Sequence, residues 1–361
     1  MPPNDKAARQ TSFNSQDWSA SIISSPGRIK ELRAFVSSVA PDQAMLDPRF
    51  FLASILPEWR PCVVVVSEGQ RTAGLLYCRE RVVAGIGTRI LVGDDSLDIM
   101  VVSRSEEAGS VVDCAVKTLI KRMAALRLMV DPGKLPVLRG VETLADVRFS
   151  RAERHAHLEL TPSYDNFLAK VGPRTRRNLR YYRRKSELAS NEFSPRETYA
   201  SFCAAARRLF PRTEFARRRI NLERCLAMIG TMPSPIMVGL RDRNGELISV
   251  AGGWHDGRRA VVIMQLNDRA FPRASLSLVL RSYLIEDLIR RDFRELIFWA
   301  GSSAPFSSYS GSPELWIAHI DPRTTLWRLY RWAITIACKF APGASREWFK
   351  WMVGDGLSGH E

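Results

Sequence analysis

Residues 235–267 read PIMVGLRDRNGELISVAGGWHDGRRAVVIMQLN. Three β-rich runs, Ile236–Arg241, Leu247–His255 and Arg258–Asn267, are separated by Asp242-Arg243-Asn244-Gly245 and by Asp256-Gly257. Short polar, glycine-bearing breaks between apolar runs are hairpin turns, so the stretch predicts an antiparallel three-stranded meander. A helix follows over Leu276–Arg291, with Leu276, Val279, Leu280, Tyr283, Leu284 and Leu288 at helical spacing. Glu295–Trp299 reads as the next strand. A meander followed by one helix and one strand is an α+β order, not the strict alternation of a Rossmann fold.

The same order recurs upstream. Cys62–Val66 is a β-branched run, Glu68-Gly69-Gln70 a turn, and Thr72–Val83 and Gly87–Val92 the next two strands. A helix is predicted over Val111–Arg127, and strands over Leu135–Leu138 and His157–Leu160. Pro61 to Asp94 and Pro235 to Asp268 both span 33 residues. That spacing suits either two copies of one unit or two unrelated meanders. Ahead of each meander lie helices: Ser25-Pro26-Gly27 opens one, and Pro48–Leu56 forms another. In the second half they run from Thr161-Pro162 to Lys170, from Arg174 to Ser190, and over Arg196–Leu209 and Arg217–Ile229. Thr161 is the expected N-cap and Pro162 the first helical residue.

The chain of 361 residues carries 45% hydrophobic and 25% charged residues, the composition of an ordinary globular protein. The six cysteines form no CxxC and no zinc-ligand spacing with histidine, so no metal site or disulfide framework is expected. The N-terminus MPPNDKAARQTSFNSQ lacks the apolar core of a signal peptide, and residues 1–20 read as disordered. A cytoplasmic location follows as the expectation. The net charge is +15, and residues 170–219 hold fifteen Lys/Arg against four acids. A basic excess so concentrated belongs to an anion-facing surface or to a solvated helix face.

Three segments carry a resemblance: His157-Leu-Glu-Leu, Tyr164-Asp-Asn-Phe-Leu-Ala-Lys, and Pro173-Arg-Thr-Arg-Arg-Asn-Leu-Arg-Tyr-Tyr-Arg-Arg-Lys. They resemble the corresponding element of GNAT-like acyltransferases of the CelD type, related to the FemABX peptidyltransferases. The order strand 258–267, loop 271–275, helix 276–291 and strand 296–299 agrees. The resemblance spans residues 45–330 and implies tandem GNAT-like lobes, each a mixed, mostly antiparallel sheet flanked by helices. The expected division is an N-terminal lobe over 21–156, the acyltransferase lobe over 157–325, and an amphipathic helix and tail over 326–361.

The resemblance further implies a thioester donor, acyl-CoA, and a sugar, glycan or lipid-linked acceptor. In the Fem relatives the donor is an aminoacyl-tRNA. The donor loop aligns as Arg269-Ala-Phe-Pro272-Arg273-Ala274, with Pro272 in place of one glycine and Ala274 in place of the other. Its candidate donor-binding residues are Arg269, Arg273, Ala274, Ser275 and Ser277. Gln265 and Asn267, on the strand leading into this loop, are candidates to orient the reactants. His255 has a side chain that titrates near neutrality and reads either as a general base or as a solvated turn residue. The family's acid and lysine after the last strand are absent, and Ser302 and Tyr309 are the nearest replacements. Arg174, Arg176, Arg177, Arg180 and Arg184 are candidates for anion or substrate contact. No metal is implied.

Two other readings fit the same residues. One is an aminoacyl-tRNA-dependent Fem-like transferase. The other is a non-catalytic polyanion- or membrane-binding accessory protein, favoured by the altered donor loop. The segment LWRLYRWAITIACKF, residues 326–340, is amphipathic. It suits either a core-packed terminal helix or a peripheral contact with an anionic membrane at its inner face.

Overall fold

A computed structural model describes residues 18–83, 86–93, 101–130, 138, 141–151, 156–212, 222–271, 274–299 and 316–340. The first half contributes β1 (Trp18–Ile23), α1 (Pro26–Glu31), α2 (Arg33–Val39), α3 (Pro48–Ala53), β2 (Trp59–Glu68), β3 (Arg71–Val83), β4 (Ile86–Gly93), β5 (Val101–Ser103), α4 (Ala108–Lys121), β6 (Ala125–Val130) and β7 (Ala145–Arg151). The second contributes β8 (Ala156–Glu159), α5 (Tyr164–Lys170), α6 (Pro173–Leu188), β9 (Glu192–Ser194), α7 (Tyr199–Leu209), α8 (Leu222–Thr231), β10 (Pro235–Arg241), β11 (Leu247–Asp256), β12 (Arg259–Asn267), α9 (Leu276–Arg290), β13 (Glu295–Phe298), β14 (Trp316–Pro322) and α10 (Thr325–Phe340).

These strands build two sheets. The first runs β1-β2-β3-β4-β6-β14-β7, with β5 beside β3, and the second runs β8-β13-β12-β11-β10-β9. The two are copies of one plan. An edge strand lies antiparallel on a three-stranded meander in each: β1 on β2–β4, and β9 on β10–β12. The last meander strand crosses through one helix to a parallel neighbour, β4 to β6 and β12 to β13. That neighbour takes an antiparallel strand on its far side, β14 in the first sheet and β8 in the second. The 33-residue echo therefore reports two tandem copies of one α+β lobe.

Both sheets are covered on both faces, which is why Cys62–Val66 is continuously apolar rather than alternating. Val64 and Val66 pack under α4, whereas Val63 and Val65 pack with Ile29, Val36 and Phe51 of α1–α3. In the second lobe α5, α6 and α9 cover one face and α7 and α8 the other. The lobes meet where α3 packs on α8. There the Phe50 ring sits edge-on to the fully buried Trp254 ring, with centroids 5.1 Å apart.

The expected boundaries need correction. Trp316–Pro322, placed with the second lobe, lies between β6 and β7 in the first sheet. Residues 18–20, read as disordered, pair with Val66–Glu68 as part of β1. The helix predicted to Arg127 ends at Lys121, and Met123 then takes a left-handed conformation (φ 57°) that turns the chain into β6. Its apolar spacing runs on through Leu126, but that residue serves the sheet. The strand expected at 135–138 lies outside the described residues except for Leu138, which is helical. α5 starts later than expected: Ser163, not Thr161, caps it by accepting the Asn166 N–H. Thr161 instead donates to the Ser163 carbonyl.

Candidate functional site

The second sheet opens where β12 and β13 part. The two run parallel only from Arg259↔Glu295 to Val262↔Phe298, while β12 continues to Asn267. Beyond Val262, among the described residues, β12 has a partner on its β11 side alone. A bulge sits at this point: Gly252 faces Met264 but Gly253 faces Val262, leaving Ile263 as the extra residue. Glycine is required opposite the bulge. A Cβ on Gly253 would lie 1.8 Å from the Val261 carbonyl oxygen, and one on Gly252 would lie 2.4 Å from the Phe202 ring.

The extra residue resets the strand's alternation. Val262 faces the core under α9, Met264 and Leu266 face the α7 side, and Gln265 returns to the α9 side. Gln265 is buried. Its amide donates to the Ser277 carbonyl at 3.1 Å and accepts from Nε of Arg281 at 2.8 Å. Arg281 also lies over the Phe298 ring of β13, 4.8 Å from its centroid. One guanidinium thus bridges the two strands where they separate. Burial lowers its pKa to about 10, so it stays cationic at neutral pH. Asn267 lies two residues on, and its Oδ1 accepts the Ser249 hydroxyl at 2.7 Å.

Next along the chain, Asp268 is buried and its carboxylate accepts the Ala270 N–H at 2.9 Å, folding the start of the donor loop. Ala274 and Ser275 are half-buried, and Ser275 is left-handed (φ 48°). Ser275 is the N-cap of α9, a helix 15 residues long, and its hydroxyl makes no capping hydrogen bond to the first N–H groups. Those groups and the helix dipole make this end electropositive. Arg269 is exposed at the same loop. Gln265, Asn267, Ser275 and Ser277 therefore share one neighbourhood.

His255 does not belong to it. It pairs with Ala260 at the opposite end of the meander, about 15 Å along β12 from Gln265. Its ring packs edge-on against Phe293 at 5.0 Å, and burial together with Arg291 lowers its pKa. Its place at the end of β11, beside the turn at Gly257, separates it from the donor loop. Arg273, Ser302 and Tyr309 lie outside the described residues.

Arg281 was missed in the sequence. On the helical wheel it lies between Leu288 and Ile285, both buried, and a lone cation inside an apolar stripe was its only signal.

On α6 the inward positions are Leu179 and Ser186. Arg183 also turns inward, pairing with Glu286 at 2.7 Å and lying over the Tyr283 ring at 4.1 Å. It is structural. Arg174, Arg177, Arg180 and Arg184 are exposed and Arg176 is half-buried, and none of the five has an ion-pair partner among the described residues. Arg177, Arg180 and Arg184 recur at helical spacing along one outer stripe. Among the described residues no group of His, Cys, Asp and Glu side chains is arranged to hold a metal ion.

Residues 173–306 match the family described as an Acetyltransferase (GNAT) domain. No curated protein sequence matches the chain. The fold is similar to that of the C-terminal domain (DUF2156) of a protein described as a lysylphosphatidylglycerol synthetase from Agrobacterium fabrum. The two share a TM-score of 0.56 and 12% identity over 87% of this chain and 98% of that one. L-PGS from Bacillus licheniformis gives 0.54 and 10% over 85% and 95%. FemX gives 0.54 and 10% over 80% and 95%. At such identities the likeness is one of fold.

Proposed function

We propose that this chain is a transferase that moves an acyl group from acyl-CoA to a sugar, glycan or lipid-linked acceptor, a reading supported by the match of residues 173–306 to the Acetyltransferase (GNAT) domain family. The observation that carries this reading is the Arg281–Gln265 pair at the parting of β12 and β13. It supports a thioester lying along the unpaired length of β12, with its phosphates toward Arg269 and the start of α9, and Arg273 remains a candidate for the same role. Ser302 and Tyr309 remain candidates for the acceptor side.

The chemistry needs no covalent nucleophile. The acceptor nitrogen or oxygen attacks the thioester carbonyl, the new C–N or C–O bond forms, and the C–S bond breaks. The acceptor's proton ends on the departing sulfur. Positioning the two reactants supplies much of the rate. A fixed cation beside the carbonyl stabilises the developing oxyanion, a role suited to Arg281. Gln265 holds that guanidinium in place, and Asn267 offers an amide already oriented by Ser249.

The outer arginines of α6 favour a second donor, an aminoacyl-tRNA, because an unpaired cationic stripe matches a phosphate backbone. Calorimetry separates the two. Acetyl-CoA and a longer acyl-CoA should bind saturably, and Arg281→Met should weaken both by about tenfold. Failure of the folded protein to bind either thioester would overturn the coenzyme A reading. Binding of aminoacyl-tRNA with a steep salt dependence, lost on replacing Arg177, Arg180 and Arg184 by Gln, would install the second.

A further inference from the structure

α10 is held to the first lobe through Trp327 and Tyr330. Trp327 is buried against the first lobe, and the Tyr330 hydroxyl donates to the Thr88 carbonyl at 3.3 Å. Beside this anchor run Leu326, Leu329 and Trp332, which are 58%, 58% and 65% exposed, with Ala333 also exposed. Spacings of three to four residues put them on one continuous stripe. Large apolar side chains held in water in this way mark an interaction surface.

A cavity of about 350 Å³ opens beside the stripe, walled by Met123, Leu326, Trp327 and Tyr330 and rimmed by Arg89. That is the small end of the range for ligand cavities, about 300–1,000 Å³. The wall is mainly apolar, yet the Trp327 Nε1–H is buried there without an acceptor. Arg89 is exposed, as is Arg328 on the flank of the stripe, and neither has an ion-pair partner among the described residues.

We propose that α10 and the cavity beside it dock the protein on an anionic phospholipid bilayer. In this arrangement Leu326, Leu329 and Trp332 enter the head-group boundary, Arg89 and Arg328 meet lipid phosphates, and one acyl chain occupies the cavity. The charge is complementary at the patch itself, where Arg89 rims the cavity and Arg328 flanks the stripe, both exposed. Trp and Tyr suit this depth, having an apolar ring and a polar edge. Among the described residues no helix is long and apolar enough to cross a membrane, so α10 lies along the surface. Docking is independent of which donor the transferase uses.

Sedimentation with vesicles tests this. The full chain should pellet with vesicles of phosphatidylcholine mixed with phosphatidylglycerol and much less with phosphatidylcholine alone. Leu329→Glu/Trp332→Glu should lower the affinity by about tenfold or more with an unchanged thermal melt, because both side chains are in water. Arg89→Gln should lower it by about fivefold. Equal binding by the double variant, or no binding by the wild type, would overturn the proposal. If the wild type ignores vesicles but self-associates in sedimentation velocity, and the double variant stays monomeric, the stripe belongs to a second copy instead.

Discussion

Arg281 Nε lies 2.8 Å from Gln265 Oε1, joining the middle of α9 to β12 at the point where β12 loses its parallel neighbour. The cation is held by an amide and an aromatic face, both of which leave its charge intact. Arg281→Lys keeps the charge but cannot reproduce the planar fork. We expect kcat/KM to fall by about tenfold or more in Arg281→Lys and further in Arg281→Met. Steady-state kinetics on any accepted thioester, with a thermal melt of each variant, checks this.

Gly253 is the second test, and it addresses the strand rather than the side chains. A methyl group there collides with the backbone of Val261, which cannot yield without losing the bulge. Gly253→Ala should destabilise the protein by about 3 kcal/mol or more, at the high end for a single substitution. Urea denaturation measures it. A loss below about 1 kcal/mol would show that the strands tolerate a flat register here.

Asp321 addresses the other lobe. Its carboxylate accepts from Arg127 and Arg148, each at 3.0 Å, and Arg127 is almost fully buried. Asp321→Ala leaves a buried guanidinium without this counter-charge. The expected cost is about 3–5 kcal/mol, read by denaturant unfolding. Asp321→Asn should cost less, because an amide oxygen still accepts.

Acid sensitivity has a defined source in the second sheet. Glu295 accepts from His157 Nδ1 at 2.6 Å and from Arg259 Nε at 2.7 Å, and these hydrogen bonds, that of His157 foremost, hold its pKa below the ordinary 4.5. A depressed carboxylate contributes stability that is fully present above its unfolded pKa and is lost as pH falls through the folded one. Stability should therefore decline below about pH 4.5. Glu295→Gln should flatten that limb while lowering stability at neutral pH. Thermal melts across pH 2.5 to 7 compare the two.

How much of this was legible depended on the range of each interaction. The meander 235–267 was readable because its strands are neighbours in the chain and glycine turns punctuate them. The repeat was readable for the same reason. β14 was not, since its partners Val130 and Arg151 lie well over a hundred residues away and nothing local announces such a pairing. The bulge at Ile263 is invisible to a pattern of period two, although Gly252-Gly253 opposite it was in plain sight. Arg281 was hidden by its neighbours: the stripe around it reads as core, and only the fold shows which strands it spans. His255 drew interest by its chemistry and lost it by its place on the strand.

The placement of β14 carries a consequence for synthesis. The first sheet has an empty row between β6 and β7 until residues 316–322 have left the ribosome, by which time the entire second lobe has emerged. The amino-terminal lobe, although translated first, is the later of the two to be completed, and among the described residues β7 pairs with no strand but β14. A released chain truncated before Trp316 should display a protease-resistant second lobe and a nicked first one, the reverse of the order in which domains ordinarily mature.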